Sequence, residues 1–152
     1  MNRCLIFFVL LFSFLTVSAQ ELKWHTDINE AIKISVKEKK PMFLFFTGSD
    51  WCGWCIKLQN EVFNKPEFIL WSKKVVLVEL DYPKRTPQAD LVKQQNQNLQ
   101  QMFSVNGFPT VWFVKAEIKL DKSINLLQLG RTGYLAGGPT TWLANANQFI
   151  GK

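Results

Sequence analysis

The sequence has few residues that could hold a metal. Histidine occurs once, at His25, and cysteine three times in 152 residues. A structural zinc site wants four ligands, commonly two Cys-x-x-Cys pairs or one such pair with two histidines. A single pair and a single histidine leave zinc poorly supported, whereas copper(I), which accepts two soft thiolates, stays open. No Pro/Gly/Ser-rich linker and no internal repeat divides the chain, so separate domains are not expected. Basic residues are plentiful, at a formal net charge of +6, but no stripe of them interleaves with aromatics. Lys37, Lys39 and Lys40 end a helical pattern, Lys73 and Lys74 precede a strand, and Lys84 and Arg85 sit in a loop. That scatter reads as a solvated surface and argues against a nucleic-acid partner.

Long apolar runs are also missing. The one at the N-terminus, Leu5 to Val17, has 13 residues, short of the roughly 20 a membrane-spanning helix needs. It follows the short positive start Met1-Asn2-Arg3 and leads into the small residues Val17-Ser18-Ala19, so residues 1–19 read as a signal peptide cleaved after Ala19. A retained N-terminal anchor is the lesser alternative. Cys4 lies before the apolar run and does not read as a lipid-attachment site. Residues 20–152 remain, enough for one compact domain and not for two, and a monomer is expected. Losing Arg3 lowers the net charge from +6 to +5. Losing Cys4 leaves Cys52 and Cys55 alone, in the stretch SDWCGWCIK.

The elements around that pair can be placed from patterning. Thr26-Asp27 caps a helix running to about Lys40, with Ile28, Ala31, Ile32 and Ser35 inward, and Pro41 stops it. Met42 to Thr47 (MFLFFT) is apolar throughout, as in a central strand buried on both faces. After the cysteines a helical pattern continues to about Asn64, and Pro66 opens a further helical turn, PEFILW. Lys74 to Asp81 is a second buried strand, and Tyr82 to Gln88 a loop. Ala89 to Val105 reads as a helix, solvated over QQNQNLQQ but with Leu91, Leu99, Met102 and Phe103 as its apolar face. Thr110 to Val114 and Ser123 to Gly130 form a hairpin around an Ala116–Lys122 turn. Gly137-Gly138-Pro139 breaks the chain before a closing helix, Thr140 to Ile150, that buries Trp142, Leu143, Ala146 and Phe149. Trp24, Trp71, Trp112 and Trp142 read as core or edge packing, and His25 as a surface residue. The expected fold is α/β, a mixed central sheet of four to five strands covered by helices on both faces.

Exported chains use disulfides to staple long loops, yet a bridge between Cys52 and Cys55 closes a ring of only four residues. It would constrain little of the unfolded chain, so chemistry is the better reason for it. The setting suits redox work. The pair follows a strand and a Gly-Ser-Asp turn and begins a helix, where free backbone N–H groups and the helix dipole favour an anion. Such a setting lowers a thiol pKa from about 8.5 to roughly 3.5–7.5. One helical turn also puts Cys52 at the exposed tip with Cys55 one turn inside. Trp54, between the cysteines, is placed either to offer apolar contact to an extended partner or to shield the disulfide.

The segment FLFFTGSDWCGWCIK, the later GFPT and the order of elements resemble the thioredoxin superfamily, most closely its exported bacterial envelope disulfide reductases. The resemblance spans Trp24 to Lys152. It implies that Cys52 is the nucleophile, Cys55 the resolving cysteine and Cys52–Cys55 a redox-active disulfide, with no other cofactor. It also implies that Trp51, Gly53, Trp54, Phe108 and Pro109 bind substrate, Pro109 as a cis-proline that turns Phe108 toward an extended peptide. X–Pro is the bond where cis costs only about 0.5–1 kcal/mol. Two departures stand out. Thioredoxins proper have Gly-Pro where this chain has Gly53-Trp54, and a buried acid on the preceding strand where it has Phe46. Glu79, in the apolar strand VVLVELD, is the candidate substitute as proton relay to Cys55, unless it sits at the strand's end and simply reaches solvent. The function implied is thiol–disulfide exchange on protein substrates in the periplasm, with a membrane or envelope redox partner. The alternative is a thioredoxin-like binding or copper-handling module without redox turnover.

Overall fold

The computed structural model describes residues 21–151, so the signal-peptide expectation lies outside the described residues. Four strands, β1 (Met42–Thr47), β2 (Val76–Asp81), β3 (Thr110–Ile118) and β4 (Ile124–Thr132), form one sheet in the order β2-β1-β3-β4. β1 runs parallel to β2 and antiparallel to β3, so it is central, and all six of its residues are buried. Five helices accompany it: α1 (Ile28–Glu38), α2 (Gly53–Leu58), α3 (Pro66–Trp71), α4 (Asp90–Met102) and α5 (Gly138–Ile150). Among these described helices, none is long and apolar enough to cross a membrane.

The strand alternation of β1 sorts the core into two layers. Phe43 and Phe45 point into an aromatic layer with Leu58, Phe63, Phe68, Trp71 and Trp142, from the cysteine helix, α3 and α5. Met42, Leu44 and Phe46 point the other way, onto Ile28, Ala31 and Ile32 of α1 and onto Leu99 and Phe103. The aromatic layer is edge-to-face and tilted packing, with Phe63 and Phe68 centroids 4.5 Å apart and Phe45 and Phe63 5.0 Å apart. Its indoles are satisfied: Trp71 Nε1 donates to Asn147 Oδ1 at 2.8 Å and Trp142 Nε1 to the Gly133 carbonyl at 2.9 Å. The expectation that Trp71 and Trp142 are packing residues holds.

Several element ends differ from the sequence reading. The hairpin strands run four residues further at the β3 end, through Ile118, because the mixed stretch Lys115-Ala116-Glu117-Ile118 alternates and buries Ala116. β2 starts two residues late, at Val76, after a 3₁₀ turn over Ser72–Lys74. On α4, Leu91 is 86% and Met102 58% exposed, so the expected apolar face is wrong at both. Leu99 and Phe103 face inward as expected, joined by Asn96. The polar tract is partly structural: the Asn96 amide donates to the Asp81 carbonyl at 2.9 Å, and Gln95 accepts from the Ile28 N–H at 2.9 Å while donating to the Thr26 carbonyl at 2.9 Å. His25 is buried rather than a surface residue. Its backbone donates to the Leu77 carbonyl and accepts from the Glu79 N–H, both at 2.9 Å, which covers part of the free edge of β2.

Candidate active site

The turn after β1 is built to present the cysteines. Gly48 accepts from the Cys52 N–H at 2.8 Å. A Cβ on Gly48 would stand 2.5 Å from the Trp51 indole, so only glycine lets that ring fold back onto the turn. The Ser49 N–H and hydroxyl donate to the Asp81 carboxylate at 2.8 and 2.6 Å, tying the turn to the end of β2. Cys52 has extended backbone angles and is the N-cap of α2, its Sγ accepting from the Cys55 N–H at 3.2 Å. The helix continues past Leu58 through a π-helical turn, Gln59–Phe63, closed by the Asn64 N–H to the Gln59 carbonyl at 2.8 Å. That turn carries Val62 and Phe63 into the core and anchors the helix behind the cysteines.

Cys52 and Cys55 are disulfide-bonded, with Cα atoms 5.3 Å apart. Cys52 is the more accessible of the two, as expected, but only 6% of it is exposed against none of Cys55. Partly buried aromatics, Trp51, Phe108 and Tyr134, pack against the same cluster and close over the tip. Because Cys52 Sγ already accepts a backbone N–H, a thiolate there would be stabilised as soon as the disulfide opened.

Of the other residues singled out from sequence, Trp51, Gly53, Trp54, Phe108 and Pro109 lie about the motif, whereas Glu79 shares only the face of the sheet. The Phe108–Pro109 peptide is cis. Phe108 meets Trp51 edge-to-face at 5.8 Å and Tyr82 at 5.0 Å, which sets the cis bond beside the motif. Gly53 is exposed at the helix tip, with open space where a Cβ would be. Trp54 is 56% exposed and leans on Tyr134 at 5.0 Å. Phe46 points away from the cysteines and stacks on Tyr82 at 6.4 Å, so nothing at its position could take the place of a buried acid. Glu79 is in mid-strand opposite Phe45, not at the strand's end. It shares the cysteine-side face of the sheet with Leu77, and burial, with the Asp81 carboxylate adding, raises its pKa above the ordinary carboxylate value. Among the described residues, no group of three or more His, Cys, Asp and Glu side chains is arranged to hold a metal.

Sequence reasoning missed the loop that buttresses the motif. Asp50 accepts the N–H groups of Lys84, Arg85 and Thr86 at 2.9, 2.8 and 2.9 Å and the Thr86 hydroxyl at 3.1 Å. The Lys84 N–H bond is the largest cause of a carboxyl pKa lowered to about 2; desolvation opposes it, and the Arg85 and Thr86 bonds add to the lowering. Trp51 Nε1 donates to the Tyr82 carbonyl at 2.8 Å, and Lys84 Nζ lies 3.7 Å from the centre of the Trp51 ring. On the far side, Tyr134 donates to Glu61 Oε2 at 2.7 Å, with Lys57 Nζ 5.1 Å from both the Trp54 and the Tyr134 rings. Thr47 was missed too: its buried hydroxyl has no hydrogen-bond partner among the described residues and lies on the cysteine-side face at the end of β1. The loop's Pro-Lys-Arg-Thr-Pro composition signalled only a turn, and Tyr134 stands 80 residues from Trp54, beyond any local pattern.

Comparison with known proteins agrees with this geometry. The family described as a thioredoxin-like domain matches residues 28–120. The disulfide bond reductase DsbH of Chlamydia pneumoniae is 36% identical over 135 residues, covering 88% of this chain and 76% of that protein. The thioredoxin-related protein DsbJ of the same organism is 37% identical over 100 residues, 65% of this chain but only 29% of DsbJ. A solved structure of a DsbH oxidoreductase superposes with a TM-score of 0.75 at 32% identity, covering 93% of this chain and 92% of that one. With a disulfide-bonded Cys-Gly-Trp-Cys at the tip of a helix leaving the central strand, the chain belongs to the thioredoxin-like family and is a thiol–disulfide oxidoreductase.

Proposed function

We propose that this oxidoreductase works as a reductase of protein disulfides in the cell envelope, with Cys52 as nucleophile and Cys55 as resolving cysteine. The observation that carries the assignment of roles is the capping geometry: the less buried cysteine, Cys52, is the one whose Sγ accepts a helix N–H, while Cys55 is fully buried. The Cys52 thiolate attacks one sulfur of a client disulfide. A Cys52–client bond forms, and the other client sulfur leaves as a thiolate and takes a proton. Cys55 then gives up its proton and attacks Cys52 Sγ, forming Cys52–Cys55 and releasing the second client thiol. Two electrons pass to the client, so each turnover needs an envelope dithiol partner to reduce the pair again. Glu79, with its raised pKa on the cysteine-side face, is the group proposed to accept the Cys55 proton. Trp51, Trp54 and the cis Phe108–Pro109 segment are proposed to hold the client backbone alongside.

Two features support export and the reductase direction: the signal-like N-terminal sequence and the reductase name of a relative covering most of the chain. The direction is read from the reduction potential, by equilibrating the pair against glutathione buffers. A value near the thioredoxin end, about −270 mV, is expected; one near the strongly oxidising end, about −120 mV, would make the protein an oxidase instead. Insulin reduction by dithiothreitol separates exchange from mere binding, because a binding or copper-handling module would not accelerate it.

A further inference from the structure

The two tryptophans of the motif each carry a lysine, and the two lysines differ in what else they meet. Lys57 Nζ sits 5.1 Å from the Trp54 ring but also 3.8 Å from Glu61 Oε1, so part of its charge is met within the helix. Lys84 Nζ is closer to its ring, 3.7 Å from the centre of Trp51, and makes no ion pair among the described residues. Asp90 lines the same cleft as Lys84 but forms no ion pair with it, and the two carboxylates beside the motif turn are occupied. Asp50 is filled by three backbone N–H groups and the Thr86 hydroxyl, and Asp81 takes the Ser49 N–H and hydroxyl. Asp50 is also the reason the lysine stays in place. Its carboxylate fixes the Lys84–Thr86 backbone, and the indole face holds the ammonium by the attraction of a cation for an aromatic quadrupole.

Trp51 adjoins Cys52 in sequence and touches Phe108 of the cis Phe108–Pro109 segment at 5.8 Å. A client segment engaged at Cys52 and running along Phe108 therefore brings residues flanking its own disulfide within reach of Lys84, with Arg85 exposed beside it. We infer that Lys84, latched over Trp51 by the Asp50 loop, is a specificity-determining residue that favours client disulfides flanked by acidic residues. The inference rests on the thiol–disulfide exchange already assigned. In that exchange the protein's two thiols become the Cys52–Cys55 disulfide while the client disulfide is reduced to two thiols.

The test uses two synthetic peptides with the same internal disulfide ring, one flanked on both sides by Glu-Glu and the other by Lys-Lys. Oxidation of the reduced protein by each is followed by tryptophan fluorescence at low ionic strength and in 0.5 M NaCl. The expected result is a preference for the acidic peptide that shrinks with salt, as exposed charge interactions do. Lys84→Gln should cut the ratio of the two rates by about three- to fivefold, the scale of one exposed ion pair, and Lys84→Arg should largely restore it. A wild-type ratio near one would overturn the inference. So would an equal slowing of both peptides by Lys84→Gln, because that would place the lysine's effect on the Cys52 thiol and not on the client. Reaction with neither peptide would overturn the exchange reading itself, and this inference with it.

Discussion

At the scale of single residues, the site's chemistry depends on where a few polar groups are placed in an apolar frame. Glu79 is the clearest case, a carboxyl between the buried Val78 and Leu80, with its pKa raised first by burial and then by Asp81. An acid whose folded pKa is raised stabilises the fold fully below its unfolded value of 4.5. That contribution is lost as pH climbs through the folded value. Glu79→Gln is therefore expected to raise thermal stability at neutral pH and leave it unchanged near pH 4. If Glu79 takes the Cys55 proton, the same variant also displaces the pH profile of disulfide reduction. An unchanged profile would remove Glu79 from the mechanism and leave it a half-buried carboxyl that only costs stability at neutral pH. The cysteines, the Gly-Phe-Pro-Thr turn and Glu79 were legible because each is locally odd: a dithiol in a chain otherwise poor in cysteine, a proline opening a strand, a charge inside an apolar run. Thr47, Tyr134 and Lys84 were not, since nothing about a threonine ending a strand or a lysine in a loop is odd until the fold brings it to the site.

At the scale of elements, the turn from β1 into α2 and the 82–88 loop behave as one unit joined by Asp50. A carboxylate lowered to about 2 keeps its bonds far below the ordinary carboxylate value of 3.8. Its contribution is present above that ordinary value and is lost only as pH falls through about 2. The amide resonances of Lys84, Arg85 and Thr86 are thus expected to titrate together with a midpoint near pH 2, as measured by NMR. Titration near 4 would mean the latch is absent in solution. Asp50→Ala should speed hydrogen exchange and proteolysis within residues 84–86 while leaving the exchange of β1 amides unchanged. The helices show the limits of pattern reading. α1 was legible because Asp27 caps it, accepting from Asn29 at 2.8 Å, and Ile28, Ala31 and Ile32 recur on one face. The α4 face was read correctly at Leu99 and Phe103 and wrongly at Leu91 and Met102, because hydrophobicity was the only guide. That helix docks through the amides of Gln95 and Asn96 as much as through Leu99, while Leu91 stays in solvent.

At the scale of the whole molecule, a central strand buried on both sides organises everything. MFLFFT predicted this directly: an apolar run with no alternation needs cover on two faces. The three-layer α/β/α arrangement follows from it, and so does the position of the cysteines at the end of the strand where the chain turns into a helix. The aromatic layer between β1 and the α2, α3 and α5 helices is the mechanical support of the site. Phe63 lies at its centre, touching Phe43, Phe45, Phe68 and Trp142 at centroid distances of 4.5 to 5.5 Å. Phe63→Ala leaves a cavity there and should cost about 3–5 kcal/mol, read as a shift of the urea midpoint. A loss under about 1 kcal/mol would mean that layer is packed differently.

The central claim, that Cys52 attacks clients and Cys55 resolves, is tested most directly by trapping. Reduced Cys55→Ser protein mixed with a disulfide-bonded client is predicted to accumulate a covalent complex, joined through Cys52 and released by dithiothreitol, while Cys52→Ser protein forms none. A complex formed equally well by Cys52→Ser, or by neither variant, would contradict the account.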